Sequence, residues 1–238
     1  VATGDPHHHG DAMATADALL WRAKELDESE SHERNMTLGP VLDKLPPGFV
    51  ALPTALIYSK KRSGRHKVRL VIRGFLMRAG LDYNDTFAPM PRPASTRVGL
   101  ALVAQHDWET TQFDWKTAFL HAPMDVELYV TVPMALTTLD KGALDVSIPH
   151  RLAPGYRRVL KTIPGCPQGS RNWYKKVDAD ICAQGFKPLT GDPCLYLHTA
   201  HDILLTVHVD DGYMPYDKVL TPVVTKILSN FRKEYELH

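Results

Sequence analysis

The strongest pattern in the chain is the run Ile203-Leu204-Leu205-Thr206-Val207-His208-Val209, which ends in Asp210-Asp211-Gly212 and continues as Tyr213 to Tyr216. Asp-Gly between two apolar β-type runs is the strongest short-range sign of a hairpin. An upstream hairpin is predicted from Leu52 to Ser59, a basic turn from Lys60 to Arg65 containing Ser63-Gly64, and a return strand from Lys67 to Phe75. In that return Val68, Leu70 and Ile72 alternate with Lys67, Arg69, Val71 and Arg73, so period 2 puts Lys67, Arg69 and Arg73 on one face. A further strand, Glu109 to Phe113, runs into Asp114. Four stretches read as helices. Ala12 to about Glu33 sets Leu19, Leu20, Ala23 and Leu26 on one face; a second helix runs from an N-cap at Ser95 to about Gln105 with Val98 and Leu102 inward. Ser170 to about Gln184 ends at Gly185, and the last runs from about Pro222 to Tyr235. Pro40, Pro46 and Pro47 break the chain early, as do Pro89, Pro91 and Pro93 later. Pro133 to Pro154 has few periodic signals and is expected to run irregularly over the surface. Strands and helices in mixed order predict an α+β fold.

Composition changes this picture little; the distribution of charge changes it more. The 238 residues suffice for one large domain or two packed subdomains. No apolar run approaches the roughly 20 residues that span a bilayer, and the N-terminus carries no signal-type apolar segment, so no membrane partner is expected. Three cysteines, Cys166, Cys182 and Cys194, are too few for a disulfide framework and favour an intracellular setting. The net charge is +1, but the first fifty residues hold nine Asp or Glu against four Lys or Arg. Lys60 to Arg73 then holds seven Lys or Arg and no acid, and Arg151 to Val177 repeats those numbers. Such stretches suit a polyanion, because neutralised phosphates release counterions; solvated basic loops are the bland alternative.

The opening residues, with Gly4, Pro6, Gly10 and the His7-His8-His9 run, read as a flexible leader over 1–16, ahead of a domain over 17–238. Histidines in such a segment are more often solvated than metal-bound. Cys194, His198 and His201 suggest a zinc site only weakly, since the spacing is that of no zinc ribbon or finger. The better constellation is acidic. Asp114 closes one apolar strand, and Asp210 and Asp211 close another. Carboxylates at such ends are costly without a positive neutraliser, and three together repel. Hard oxygen ligands favour Mg²⁺ or Mn²⁺ over zinc. Two ions ~3.5–4 Å apart would serve phosphoryl transfer. Taken alone, Asp210-Asp211-Gly212 is more often a turn than a catalyst.

A resemblance alters that balance. Arg69 to Phe75, Asp82 to Pro89 and Gln112 to Leu120 resemble the reverse transcriptase of copia-type retrotransposons. Tyr129-Val130 with Pro133, Gly165 to Tyr174, Gly185-Phe186-Lys187, Asp192 to Tyr196 and His208-Val209-Asp210-Asp211 agree with it in order and spacing. The likeness runs from about residue 17 to 238. It implies the fingers and palm of a right-hand polymerase, with an antiparallel palm sheet flanked by helices, stopping before the primer grip, thumb and RNase H. It also implies roles. Asp114, Asp210 and Asp211 would be catalytic and would hold two Mg²⁺ or Mn²⁺ ions, with the Trp115 carbonyl as a further ligand. Lys67 and Arg69 would contact the incoming triphosphate. Phe119, five residues after Asp114, would be the steric gate against a ribose 2′-OH; core packing is the plainer role for such a ring. Gly165 and Gln168 would border the nascent base pair, while Trp173 and Tyr174 read as core residues. Implied partners are an RNA or DNA template with primer, deoxynucleoside triphosphates, and the rest of a Pol polyprotein with its integrase and RNase H. The implied locations are a cytoplasmic particle and the nucleus.

The chain departs from the family pattern at several positions. His208 stands where Tyr is usual, and Pro164, Pro167, Gly169 and Ser170 alter the segment around Gly165. Pro167 removes a backbone donor. Gly212-Tyr213 replaces apolar residues after the second Asp. The competing expectation is an inactive nucleic-acid-binding remnant, which the altered Gly165 segment favours and the intact acidic trio opposes.

Overall fold

The computed structural model describes residues 4–133 and 155–238. The irregular stretch expected up to Pro154 lies almost wholly outside the described residues, as does Arg151 of the second basic stretch. In chain order the elements are α1 (His9–Met13), α2 (Ala18–Arg34), β1 (Leu38–Leu42), β2 (Ala51–Lys60), β3 (His66–Ile72), α3 (Pro93–His106) and β4 (Glu109–Asp114). They continue as β5 (Tyr129–Thr131), β6 (Tyr156–Val159), α4 (Gly169–Ala183), β7 (Phe186–Leu189), β8 (Asp192–His198), β9 (Leu204–His208), β10 (Asp211–Tyr216) and α5 (Thr221–Phe231). Two compact units result. One is Val1–Thr86 with Phe119–Gly169; the other is Phe87–Ala118 with Ser170–His238.

The first unit is a five-stranded sheet in the order β1-β6-β5-β2-β3. Its pairs are antiparallel except β2 with β5, which run parallel from Ala51↔Tyr129. β2 and β3 form the expected basic hairpin, and β3 alternates as its sequence predicts: His66, Val68, Leu70 and Ile72 are buried, while Arg69 and Arg73 are exposed. Gly64 turns the hairpin at φ +80°, a conformation glycine adopts without strain.

Helix α2 lies against β3, but not by its expected face. Leu19 is 59% exposed and Leu20 52%, while Trp21, Glu25, Ser29 and His32 are buried. In this orientation the helix buries a polar network. Glu25 accepts hydrogen bonds from Tyr58 Oη at 2.5 Å and from Arg22 Nη1 at 2.6 Å, and lies 2.6 Å from His9 Nδ1. Glu28 accepts the Leu70 amide at 2.7 Å and so satisfies a donor on the edge strand. The segment expected as a leader takes part as well: α1 buries Ala12 completely, and Asp5 accepts the Lys60 amide at 2.9 Å.

The second unit is a fully antiparallel sheet in the order β4-β10-β9-β8-β7. On one face Phe113, Trp115, Met214 and Leu205 are buried with Trp173 of α4 and Phe231 of α5. Helix α3 packs by the opposite face. Only its Gly99 is buried, where a Cβ would stand 3.6 Å from Tyr213 and Pro215, and Val98, expected inward, is 54% exposed. Ser95 is not its N-cap. The cap residue is Arg92, and the start of the helix is bonded instead by Asp192 of β8, which accepts the Arg92 amide at 2.8 Å and the Ser95 hydroxyl at 2.6 Å. Among the described residues, no helix is long and apolar enough to cross a membrane.

Candidate active site

Strand β4 alternates between a core face and an open one. Phe113 and Trp115 turn inward, with ring centroids 4.8 Å apart and Trp115 edge-on to Trp173 at 6.0 Å and Phe231 at 5.7 Å. Gln112 and Asp114 therefore turn the other way. Asp114 pairs directly with Asp211 across β4 and β10, Phe113 with Gly212, and Gln112 with Tyr213. Residues opposed in this manner bring their Cβ atoms to ~4.5–5.5 Å. Gly212 is required here, because a Cβ would meet the Phe113 ring at 2.4 Å.

The connection from β9 to β10 is tighter than the expected turn at Asp210-Asp211-Gly212. His208 pairs with Asp211, so the loop is only Val209-Asp210, and both Asp211 and Gly212 belong to the strand. Val209 has φ +58°, while Asp210 is not among the residues of positive φ. One positive φ at the first loop residue is the type II′ pattern. A β-branched residue there is strained by ~1–3 kcal/mol and persists only if its surroundings hold it. Two donors do so: Trp173 Nε1 donates to the Val209 carbonyl at 2.6 Å, and the Trp115 amide donates to the Asp210 carbonyl at 2.7 Å. On its other edge β4 is bound by the chain end, with Asp114 and His238 exchanging amide-to-carbonyl bonds at 2.9 and 3.1 Å.

Beside these acids lies an open groove of about 720 Å³, lined by Asp114, Asp211, His208, Gln112, Thr206 and Tyr213 of the sheet and by Pro91, Pro93 and Thr96 near the start of α3. Asp114 and Asp210 are half-buried and Asp211 is exposed. Neither Asp210 nor Asp211 has a lysine or arginine partner among the described residues. The donor set is all oxygen, which fits a hard divalent cation. Among the described residues, no group of three His, Cys, Asp or Glu side chains stands close enough to hold an ion.

The remaining expected site residues fall in the first unit. Lys67 and Arg69 share the open face of the hairpin, opposite Ser59 and Ile57. Burial, and then the charges of Arg69, Lys61 and Arg65, hold the Lys67 ammonium below its ordinary pKa. Phe119 is half-buried, its ring 3.6 Å from the place of a Cβ on Gly169. Gly165 has φ +94°, and a Cβ on it would lie 2.2 Å from the Ile72 carbonyl, while one on Gly74 would lie 1.9 Å from the Gly165 carbonyl. The two glycines let the 164–165 segment close on the end of β3, where Pro164 accepts the Ile72 amide at 2.9 Å. Gln168 is wholly buried and donates to the Asp82 carbonyl at 3.2 Å. Burial, with Asp192 and Asp178 nearby, pushes the Cys194 thiol up to about 12, and among the described residues no group of three His, Cys, Asp or Glu side chains includes it.

Sequence reasoning missed the structural importance of Trp173 and of Asp192. Trp173 read as core, and nothing local announces a bond to residue 209; Asp192 lies 100 residues from Arg92, whose amide it accepts.

The chain matches the reverse transcriptase (RNA-dependent DNA polymerase) family over residues 41–237. It is 32% identical over 193 residues to the retrovirus-related Pol polyprotein from transposon TNT 1-94 of Nicotiana tabacum, covering 78% of this chain and 14% of that protein. It is 30% identical over 173 residues to the Pol polyprotein from transposon RE2 of Arabidopsis thaliana, covering 70% and 11%. With the Ty1-H Gag-Pol polyprotein of Saccharomyces cerevisiae it shares 26% over 186 residues, covering 76% and 9%. The chain therefore spans a small part of the length of these relatives. It belongs to the reverse transcriptase (RNA-dependent DNA polymerase) family, in the form carried by the Pol polyproteins of copia-type retrotransposons.

Proposed function

We propose that this chain is the fingers and palm of an RNA- and DNA-templated DNA polymerase, the first unit serving as fingers and the second as palm. The observation that carries this reading is the direct pairing of Asp114 with Asp211, next to a turn that fastens the Asp210 carbonyl to the Trp115 amide. Asp114, Asp210 and Asp211, with the Trp115 carbonyl, would hold two Mg²⁺ or Mn²⁺ ions, which supply charge stabilisation for phosphoryl transfer when bound. The protein's own part is placement. Lys67 and Arg69 receive the triphosphate of the incoming deoxynucleotide, Arg69 as a rigid two-pronged donor. Phe119 excludes the 2′-OH of a ribonucleotide by contact. Gly165 keeps side-chain bulk away from the end of β3, and Gln168 acts from beneath by fixing the Asp82 carbonyl.

The partners in this reading are a primed RNA or DNA template, deoxynucleoside triphosphates, and the integrase and RNase H portions of a Pol polyprotein, working inside the cell in a particle or the nucleus. The test is primer extension on poly(rA)/oligo(dT) by the chain joined to the thumb and RNase H regions of a relative. Extension in Mg²⁺ or Mn²⁺ that falls by several orders of magnitude in Asp114→Asn and Asp210→Asn supports the reading. Primer–template binding with no extension in either ion would sink it and favour an inactive remnant.

A further inference from the structure

We propose that Trp173 is a positioning residue for the Asp210 carboxylate, its indole N–H locking the β9–β10 turn in one of two peptide orientations. The inference rests on the reading of Asp210 as a metal ligand, although its physical core does not. A two-residue hairpin loop has two accessible forms, I′ and II′, which differ mainly by a flip of the central peptide. The central peptide here joins Val209 to Asp210, and its oxygen is the Val209 carbonyl that accepts Trp173 Nε1 at 2.6 Å. A flip would carry that oxygen away from the indole and move Asp210 to positive φ.

Nothing in the loop itself prevents the flip. Type II′ wants glycine at its first position, whereas this chain has Val209 at φ +58°. Asp, at the second position, tolerates the left-handed conformation that type I′ requires. The intrinsic preference of Val209-Asp210 therefore does not select the observed form, and the selection comes from outside. The peptide on the far side of Asp210 is fixed as well, since its carbonyl accepts the Trp115 amide at 2.7 Å. The two peptide planes flanking Asp210 determine its φ and ψ, and with them the direction of its Cα–Cβ bond. The Trp115 bond lies within the sheet and survives a flip of the central peptide, so among the described residues Trp173 is the donor that distinguishes the two forms.

Trp173 can serve as a fixed post because its ring cannot move. It is 1% exposed, edge-on to Trp115 with centroids 6.0 Å apart and to Tyr235 at 5.9 Å. Its donor is thus held by aromatic packing of the second unit and aimed at the one carbonyl that reports the state of the turn.

The experiment uses the full chain and amide NMR signals of Asp210 and Asp211, with Mn²⁺ binding measured on the same samples. Trp173→Phe keeps a packed ring and removes the donor. The lock predicts a second set of signals for these two amides, the flipped form rising at least ~5-fold in population, as expected when a buried hydrogen bond is lost. Apparent Mn²⁺ affinity should fall in proportion to the share of the observed form that is lost, as read from the same signals. Val209→Gly supplies the intrinsic II′ preference, so the double variant should return to one set of signals and to wild-type Mn²⁺ affinity, which repair of a merely structural defect would not achieve. Should Trp173→Phe fail to fold, β-(3-benzothienyl)alanine at 173 replaces N–H with sulfur in a ring of the same shape. A single unchanged set of signals without the donor, or a second set that Val209→Gly does not remove, overturns the proposal. A wild-type chain that shows the predicted signals yet binds no Mn²⁺ upholds the lock and overturns the metal reading of Asp210.

Discussion

The β2–β3 and β9–β10 hairpins are built from opposite materials. The first is basic, its turn is long, and the positive φ falls on Gly64, where a Cβ would meet nothing within 4 Å. The second is acidic, its turn has two residues, and the positive φ falls on Val209, held by donors from Trp115 and Trp173. The relaxed hairpin turns on a residue that takes the left-handed conformation without strain. The strained one is imposed by donors far away in the chain, the Trp173 indole N–H on the Val209 carbonyl and the Trp115 amide on the Asp210 carbonyl. Strain of this kind belongs where a group must point in one direction. A basic surface that meets phosphates needs charge more than aim.

Glycine substitutions break this comparison most sharply. Gly212→Ala would drive a methyl into the Phe113 ring at 2.4 Å, and overpacking of this kind costs ~1–3 kcal/mol. Gly64→Ala has open space and only the left-handed backbone to oppose it, so ~1 kcal/mol is expected. Urea unfolding of both variants measures the difference; equal losses would mean that the acidic hairpin is no more constrained than the basic one.

A smaller effect is expected at Asp192, which fastens α3 beside the acidic hairpin. Burial by itself raises the pKa of this carboxyl; bonds from Ser95, the Arg92 amide and the Cys194 amide, with the Arg92 charge, outweigh it and hold the carboxyl below its usual 3.8. The folded value is the lower one, so the contribution is complete above pH 3.8 and fades as pH falls through that value toward the folded pKa. Asp192→Ala should therefore cost ~1 kcal/mol near neutrality, as loss of a helix cap does. Its deficit should shrink in acid. A deficit that stays constant from pH 7 to pH 3 would contradict the bonding assigned to Asp192.

The smallest stability effects belong to the basic hairpin. Lys67→Ala and Arg69→Ala should shift stability by less than ~1 kcal/mol, because charges on an open face contribute little. Both should weaken binding of deoxynucleoside triphosphate, measured by fluorescence titration. Unchanged nucleotide affinity would remove these residues from the proposed fingers surface.

How much of this was legible in the sequence differs between the same two regions. Period 2 over 67–73 located the β3 faces correctly, because one face is buried and the signal is local, though the strand ends at Ile72 and not Phe75. The β9–β10 hairpin was legible as a hairpin, but its turn was expected one to two residues late. Asp211 and Gly212 look like turn residues; they are strand residues because Gly212 must face the Phe113 ring. The inward face of α2 was misread for a physical reason too: Glu25 and Ser29 are buried by partners on other elements, while Leu19 and Leu20 stay in solvent. In the site, the acidic trio could be nominated from strand ends and from resemblance. The enclosure of Gln168 and the bond from Trp173 to Val209 are tertiary facts without a local signature.

The central claim is that the acidic end of the second sheet binds divalent cations, and Mn²⁺ titration of the full chain followed by electron paramagnetic resonance tests it most directly. Asp114→Asn and Asp210→Asn keep side-chain size and remove the charge, so each should abolish most of the bound Mn²⁺ while Lys67→Ala leaves it unchanged. Equal Mn²⁺ binding by the wild-type chain and both asparagine variants would contradict the account.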